Sequence, residues 1–272
     1  MTSSAGRQPR QSVRAIAPSV RDSKGGRGSL PGDIAARVAA LRRIAQPAEY
    51  SPSATDHLYR VFSIYVSVPL ARLGATPNGI TVAWIGLGLL GAVGLLCDSW
   101  PLRIVAALLL QLSYLLDFVD GEVARLSDRR SLVGGFLDLV GHGLIKGALP
   151  LAVGAAAAAD TGRPLLALAG AVAAVVIVVG DALRFYAACT IRDLAGGDLG
   201  HAVVESPPAR GRRTPWRLVG AAWVVSFESP GLYGLTLIAV LVQRLDVLAV
   251  YWALGGTLWF LRRTLAYSRR MA

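Results

Sequence analysis

Five long apolar runs and a sixth interrupted one divide this chain, and polar residues gather at their ends. A bilayer crossing needs about 20 apolar residues. Thr81–Cys97, Ile104–Val119, Leu132–Ala159 and Leu165–Ala188 read as the first four spans, with the helix of the second expected to continue into the cytosolic headgroup zone. Leu218–Gln243 reads as the fifth, interrupted at Glu228-Ser229-Pro230-Gly231, and Val247–Leu261 as the sixth. After Pro230 the fifth run is too short to cross alone at about 1.5 Å per residue. It therefore includes a kinked portion before Pro230, or it sits in thinned lipid. Glu228 is read as a helix-start acid, with Pro230 suited to a first helical position. Before the spans, residues 55–72 mix apolar and aromatic side chains with charge only at the ends, which predicts an interfacial helix; Pro69 argues against one straight helix. Upstream, Ile34, Val38, Leu41 and Ala45 recur at helical spacing among Arg37, Arg42 and Arg43, predicting a short basic amphipathic helix over residues 33–45. It is either a membrane-surface anchor or a helix packed on its own protein.

The expected fold is all-α: an integral membrane protein of six transmembrane helices preceded by an interfacial amphipathic helix. Residues 51–272 form the membrane domain. Residues 1–50 form a basic cytosolic tail, with the Ser-, Gly-, Pro- and Arg-rich residues 1–30 expected to be disordered, because they bury too little apolar area to offset ordering entropy. Only 17% of residues are charged and 54% are hydrophobic, which favours lipid over water as solvent.

The net charge of +11 would suggest nucleic acid in a soluble protein. Here the bases lie at the ends and between apolar runs, which excludes nucleic acid in favour of anionic membrane lipid. Their asymmetry sets orientation. Arg125, Arg129 and Arg130, then Arg192, Arg210, Arg212, Arg213 and Arg217, then Arg262, Arg263, Arg269 and Arg270 fall on one side; the other has Arg103, Arg163 and Arg244. Both termini are expected in the cytosol of a multi-pass plasma-membrane protein. Cys97 and Cys189 fall near opposite membrane faces, so they are expected unpaired, as small buried apolar residues.

Ionisable groups in or beside spans are costly and call for a reason. The densest set occupies residues 117–143. Asp117 and Asp120 lie three apart on one helix, with Gly121 and Ala124 on the same face, and Asp138 and His142 lie four apart on the next. Two antiparallel helices joined by a short turn can bring these faces together. Three clustered carboxylates repel one another unless a hard cation such as Mg²⁺ or Mn²⁺ neutralises them. Close helix packing accounts for the small residues but not for the three acids.

This segment resembles the signature of the CDP-alcohol phosphotransferase (CDP-alcohol phosphatidyltransferase) family, D-x2-D-G-x2-A-R-x8-G-x3-D-x3-D. Asp117, Asp120, Gly121, Ala124, Arg125, Gly134 and Asp138 stand at the family's spacing, and His142 replaces the last Asp. The resemblance implies a metal-dependent transferase of phospholipid biosynthesis. Its acceptor hydroxyl attacks the β-phosphorus of a CDP-linked alcohol, often CDP-diacylglycerol, and CMP leaves. It implies that Asp117, Asp120 and Asp138 hold one or two Mg²⁺ or Mn²⁺ ions. Asp117, Gly121, Ala124 and Gly134 would contact or make room for the nucleotide, and Arg125 would support the pyrophosphate or the acid network. It also implies a homodimer.

His142 stands where the family has a metal ligand and candidate base. Imidazole is a poorer Mg²⁺ ligand than carboxylate but a good base near neutral pH. Three readings stay open: His142 as base with weak ligation, a single firmly bound ion, or a degenerate member that binds nucleotide or lipid without turnover. A small transporter is a further alternative, disfavoured because the acids gather at one membrane face. Lys146, Asp181, Arg184 and Arg192 are candidates for the acceptor pocket by analogy with members that use phosphorylated polyols. Asp181 and Arg184, one turn apart, otherwise pair with each other. His57 and His201 are expected to be ordinary interface or loop residues.

Overall fold

A computed structural model describes residues 39–46, 54–194 and 222–271. Among the described residues the regular structure is entirely helical: α1 (39–45), α2 (Ala54–Arg72), α3 (Pro77–Gly94), α4 (Trp100–Leu126), α5 (Leu132–Thr161), α6 (Leu165–Leu194), α7 (Ser229–Leu241) and α8 (Leu245–Met271), with one helical turn at 222–225. The tail over 1–30, the loop arginines between Arg210 and Arg217, and His201 lie outside the described residues.

Among the described residues, four helices are long and apolar enough to cross a membrane: Pro77–Gly94, Trp100–Leu126, Leu132–Thr161 and, within α6, Leu165–Ala187. The reason is backbone chemistry: in lipid each N–H and C=O must find a partner within its own segment, so an apolar run of this length has one regular solution. Outward side chains on these helices are aliphatic, as at Leu90, Val93, Leu108 and Val175, because their solvent is hydrocarbon. The chain is therefore an all-helical membrane protein. The first, second and fourth spans extend beyond their apolar stretches into polar sequence.

The fifth run is broken where the sequence places the break. Glu228 is extended and sits at the N-cap of α7, with a proline in the first two helical positions. The helix after it has 13 residues. The sixth apolar stretch, Val247–Leu261, lies in α8, which continues through Arg262 and Arg263 to Met271.

The chain divides into two units, Met1–Thr81 with Leu115–Gly135, and Val82–Tyr114 with Phe136–Ala272. In the first unit, α2 continues through Pro69 to Arg72; the proline lies in the last turn, where one lost hydrogen bond interrupts little. Ala45 of α1, Ile64 of α2 and Leu126 of α4 form one buried cluster, flanked by Leu41, Ile44, Val68 and Ala71. The apolar face of α1 is thus spent on its own protein. Ile80, Val119 and Val123 form a second cluster, flanked by Val66, Leu70 and Leu116.

In the second unit, α5 and α6 meet backbone to backbone. A Cβ on Gly154 would stand 2.6 Å from Gly170 Cα, and one on Gly170 2.5 Å from Pro150 O. Glycine is required there, as is usual where membrane helices pack closely. α6 also packs along α8. Phe227 anchors an aromatic cluster with Trp223, Tyr251 and Trp259 at ring separations of 5.5 to 5.9 Å. Arg103 at the start of α4 grips Asp160 at the end of α5 through two bonds of 2.6 and 2.8 Å.

Cys97 and Cys189 are unpaired, as expected, but both are exposed rather than buried. Each lies beyond or on the outer side of its helix, where a small apolar side chain can face lipid at no cost.

Candidate functional site

The acidic signature begins on the last three turns of α4, within the first unit. Phe118, Glu122, Arg125 and Leu126 share one face, directed at α1 and α2; Asp117, Gly121 and Ala124 share another. Asp120 is buried and its Oδ2 accepts a 2.6 Å hydrogen bond from Thr81 Oγ1 on α3. Asp117 is half-buried. A Cβ on Gly121 would meet the Arg125 guanidinium at 3.3 Å, and Arg125 Nε donates to the Ala45 carbonyl. A Cβ on Gly134, at the start of α5, would come within 2.9 Å of Asn78 Oδ1 and 3.1 Å of Ser131 Oγ. The missing side chain at Gly134 thus leaves room for polar groups of the first unit.

α5 carries the rest into the second unit. Asp138 Oδ1 and His142 Nε2 stand 3.6 Å apart, both partly exposed. That is ion-pair range but long for a hydrogen bond. The His142 ring tilts against Trp84, centroids 5.3 Å apart and planes 44° apart.

Lys146 lies one further turn along the same face of α5. Its ammonium is buried and pairs with Asp181 Oδ2 on α6. Arg184 Nη1 lies 3.5 Å from Glu228 Oε1, at the break before α7. The expected Asp181–Arg184 pair is thereby replaced by two inter-helix pairs. The lysine side chain is 10% exposed against 43% for Arg184, so it has the greater need of a carboxylate and takes Asp181. The second oxygen of Asp181, Oδ1, is buried without a partner among the described residues. The backbone of Arg192 belongs to α6, but its side chain is outside the described residues. His57 is exposed on α2.

The residue that sequence reasoning missed is Glu122. It lies inside the signature at a position open to any residue, yet its side chain is 1% exposed. Ser63 Oγ and Gln46 Nε2 donate to its Oε1 at 2.5 and 2.7 Å, and Ser67 Oγ donates to Oε2 at 2.5 Å. Thr81 and Asn78 were missed too. The available signal was Ser63 and Ser67, four apart on an otherwise apolar face of α2.

The signature residues on α4 and α5 lie within a stretch that known proteins share. The family model for CDP-alcohol phosphatidyltransferase matches residues 74–259. A relative is the bifunctional IPC transferase and DIPP synthase of Thermococcus kodakarensis, 43% identical over 84 residues. That match covers 31% of this chain and 18% of the relative, so the shared stretch is less than a fifth of that protein's length. With the family match running through two thirds of the chain and seven of eight signature positions in place on α4 and α5, this protein belongs to the CDP-alcohol phosphatidyltransferase family.

Proposed function

We propose that this protein transfers a phosphoalcohol group from a CDP-linked alcohol to an acceptor hydroxyl, releasing CMP, in the synthesis of phospholipids or related polar lipids. The observation that carries the reading is the signature on α4 and α5 inside the family match. CDP-diacylglycerol is one donor that fits an enzyme embedded in lipid. The transferase and synthase named in the Thermococcus relative are in keeping with group transfer. The remaining assignments belong to the same reading: six crossings including α7 and α8, both termini in the cytosol, residence in the plasma membrane, and a homodimer.

The donor chemistry suits a divalent cation. By the family signature, Asp117 and Asp120 on α4 and Asp138 and His142 on α5 would supply the ligand atoms, and Oδ2 of Asp120 is oriented by Thr81. Carboxylate oxygens match hard Mg²⁺ or Mn²⁺, and the one imidazole tilts the preference toward Mn²⁺. When bound, one or two such ions would neutralise charge developing on the diphosphate. Gly121, Ala124 and Gly134 leave space for the nucleotide beside Asp117.

The reaction forms a bond from the acceptor oxygen to the β-phosphorus and breaks the bond from that phosphorus to the CMP oxygen. His142, with its lone pair free of any ion in this step, takes the acceptor proton on its imidazole. Asp138, 3.6 Å away, stabilises the imidazolium that results, and Trp84 lies against the ring. Arg125 is held through its Nε by Ala45 and supports the acid network or the pyrophosphate with the rest of its guanidinium. Lys146, Asp181, Arg184 and Arg192 shape the acceptor side.

The test is CMP release by purified protein over a matrix of CDP-donors and acceptors, with Mg²⁺ and Mn²⁺ compared. Acceptor-dependent CMP supports the reading and removes the transporter alternative. Nucleotide binding without CMP release for any pair would favour the degenerate member, for which the imidazole in place of the final carboxylate is the specific argument.

A further inference from the structure

The family match begins at residue 74, yet α1 and α2 precede it and are tied to the signature helix. We infer that the pocket of Gln46, Ser63 and Ser67 around Glu122 is a positioning device for the acidic end of α4. α1, Gln46 and α2 are then a working part of the transferase rather than an anchor alone. The inference rests on the function proposed above, since it is that site's carboxylates that are positioned.

Three donors converge on one fully buried carboxylate, at 2.5 to 2.7 Å, from two elements outside the family match. Ser63 and Ser67 are both wholly buried. Gln46 Nε2 also donates to Arg60 O at 2.7 Å, so the residue just after α1 bridges α2 and α4. One turn before Glu122, Phe118 stacks on Tyr59 of α2 at 6.1 Å, and one turn after it Leu126 packs on Ala45 and Ile64. α4 is therefore fixed along three successive turns on this face. Asp117 and Asp120 are carried on the adjoining faces of those turns. Apolar packing alone tolerates sliding and rotation. A carboxylate with a different donor on each oxygen does not, because rotating the helix breaks directional bonds on both oxygens at once. Glu122 and its donors are positioning residues: they touch no reacting atom and set where Asp117 and Asp120 stand.

The experiment compares Gln46→Ala and the double variant Ser63→Ala/Ser67→Ala with wild type in full-length protein. Misplacement of reacting groups by about 1 Å can cost about a hundredfold in rate. The expected result is kcat lowered about tenfold in Gln46→Ala and about ten- to a hundredfold in the double variant. KM for donor and acceptor stays within about twofold, and amide hydrogen exchange over residues 115–126 rises. Gln46→Ala keeps both serine bonds and so stays folded if the double variant does not. A purely structural role would lower the thermal midpoint and leave kcat per folded molecule unchanged. Variants that turn over at the wild-type rate overturn the inference. If wild type itself releases no CMP, the proposed function fails. The positioning inference is then decided by exchange, and unchanged protection of 115–126 in both variants overturns it.

Discussion

Replacing Lys146 by methionine tests whether the Lys146–Asp181 pair holds helices together or serves the acceptor. Both groups are well buried, with side chains 10% and 21% exposed. Lys146 is the partner of Asp181 Oδ2, and Oδ1 has none among the described residues. Methionine fills the same space as the lysine stem, so the loss is electrostatic rather than a cavity. What remains is a carboxylate between α5 and α6 with neither oxygen engaged. Stranding such a charge costs about 3 kcal/mol, close to the scale for placing one at the centre of a membrane helix. At roughly 2–4 °C per kcal/mol for a chain of this size, the thermal midpoint in detergent falls by about 6–12 °C. Adding Asp181→Asn removes the stranded charge and restores the midpoint to within about 1 kcal/mol of wild type. CMP release by the double variant then separates the roles. If the pair only joins helices, turnover returns with stability. If it lines the acceptor pocket, stability returns while KM for the acceptor stays raised. A single variant as stable as wild type would refute the reasoning, because the pair would then carry no net stabilisation.

Asp117→Asn and Asp120→Asn remove charge from the proposed ligands at constant volume; each is expected to lower CMP release at least a hundredfold with little change in thermal midpoint, measured at saturating Mn²⁺. For His142, alanine should cost about 10²- to 10⁴-fold in kcat if the imidazole is the base, while aspartate retains part of the rate with a stronger preference for Mg²⁺; full turnover by both variants would end that assignment. Gly154→Ala forces a methyl into the Gly170 backbone and should destabilise by about 1–3 kcal/mol, read by thermal unfolding. Gly147→Ala on the same helix is the control, since its Cβ would meet Val178 Cγ2 at an ordinary 3.7 Å.

The spans were legible because lipid leaves an apolar run few alternatives. α5 was expected over Leu132–Ala159 and runs Leu132–Thr161; α4 was expected to span Ile104–Val119 and to continue as a helix beyond it, and runs Trp100–Leu126. The length of α4 past Val119 is largely polar sequence, where the apolar pattern ends but hydrogen bonding does not. The break before α7 was readable from Pro230 and Glu228, each of which has a positional preference of its own. Pairing between helices was not readable. Asp181 and Arg184 have the right spacing to join each other, and only the approach of Lys146 from α5 and Glu228 from the α7 start decides otherwise. Glu122 was hidden for a similar reason: nothing in the signature constrains it, and its role depends on α2. The two exposed cysteines were misplaced because small apolar residues suit a protein interior and a lipid-facing surface equally well.

The last turns of α8 carry a further consequence. Arg262 lies over Trp223 and Arg263 over Trp259 and Tyr267, so these cations are pinned on a stiff rod instead of hanging from a loose tail, with Arg269 further along it. An array of fixed spacing attracts anionic headgroups at about 1 kcal/mol per arginine near the surface. The CDP-linked lipid proposed above as donor is itself anionic, so the rod would act as an electrostatic collector, raising its local abundance before any binding step. Such a field dies away within about 8 Å at physiological ionic strength, and added salt should therefore weaken donor capture while leaving a neutral acceptor's use unchanged.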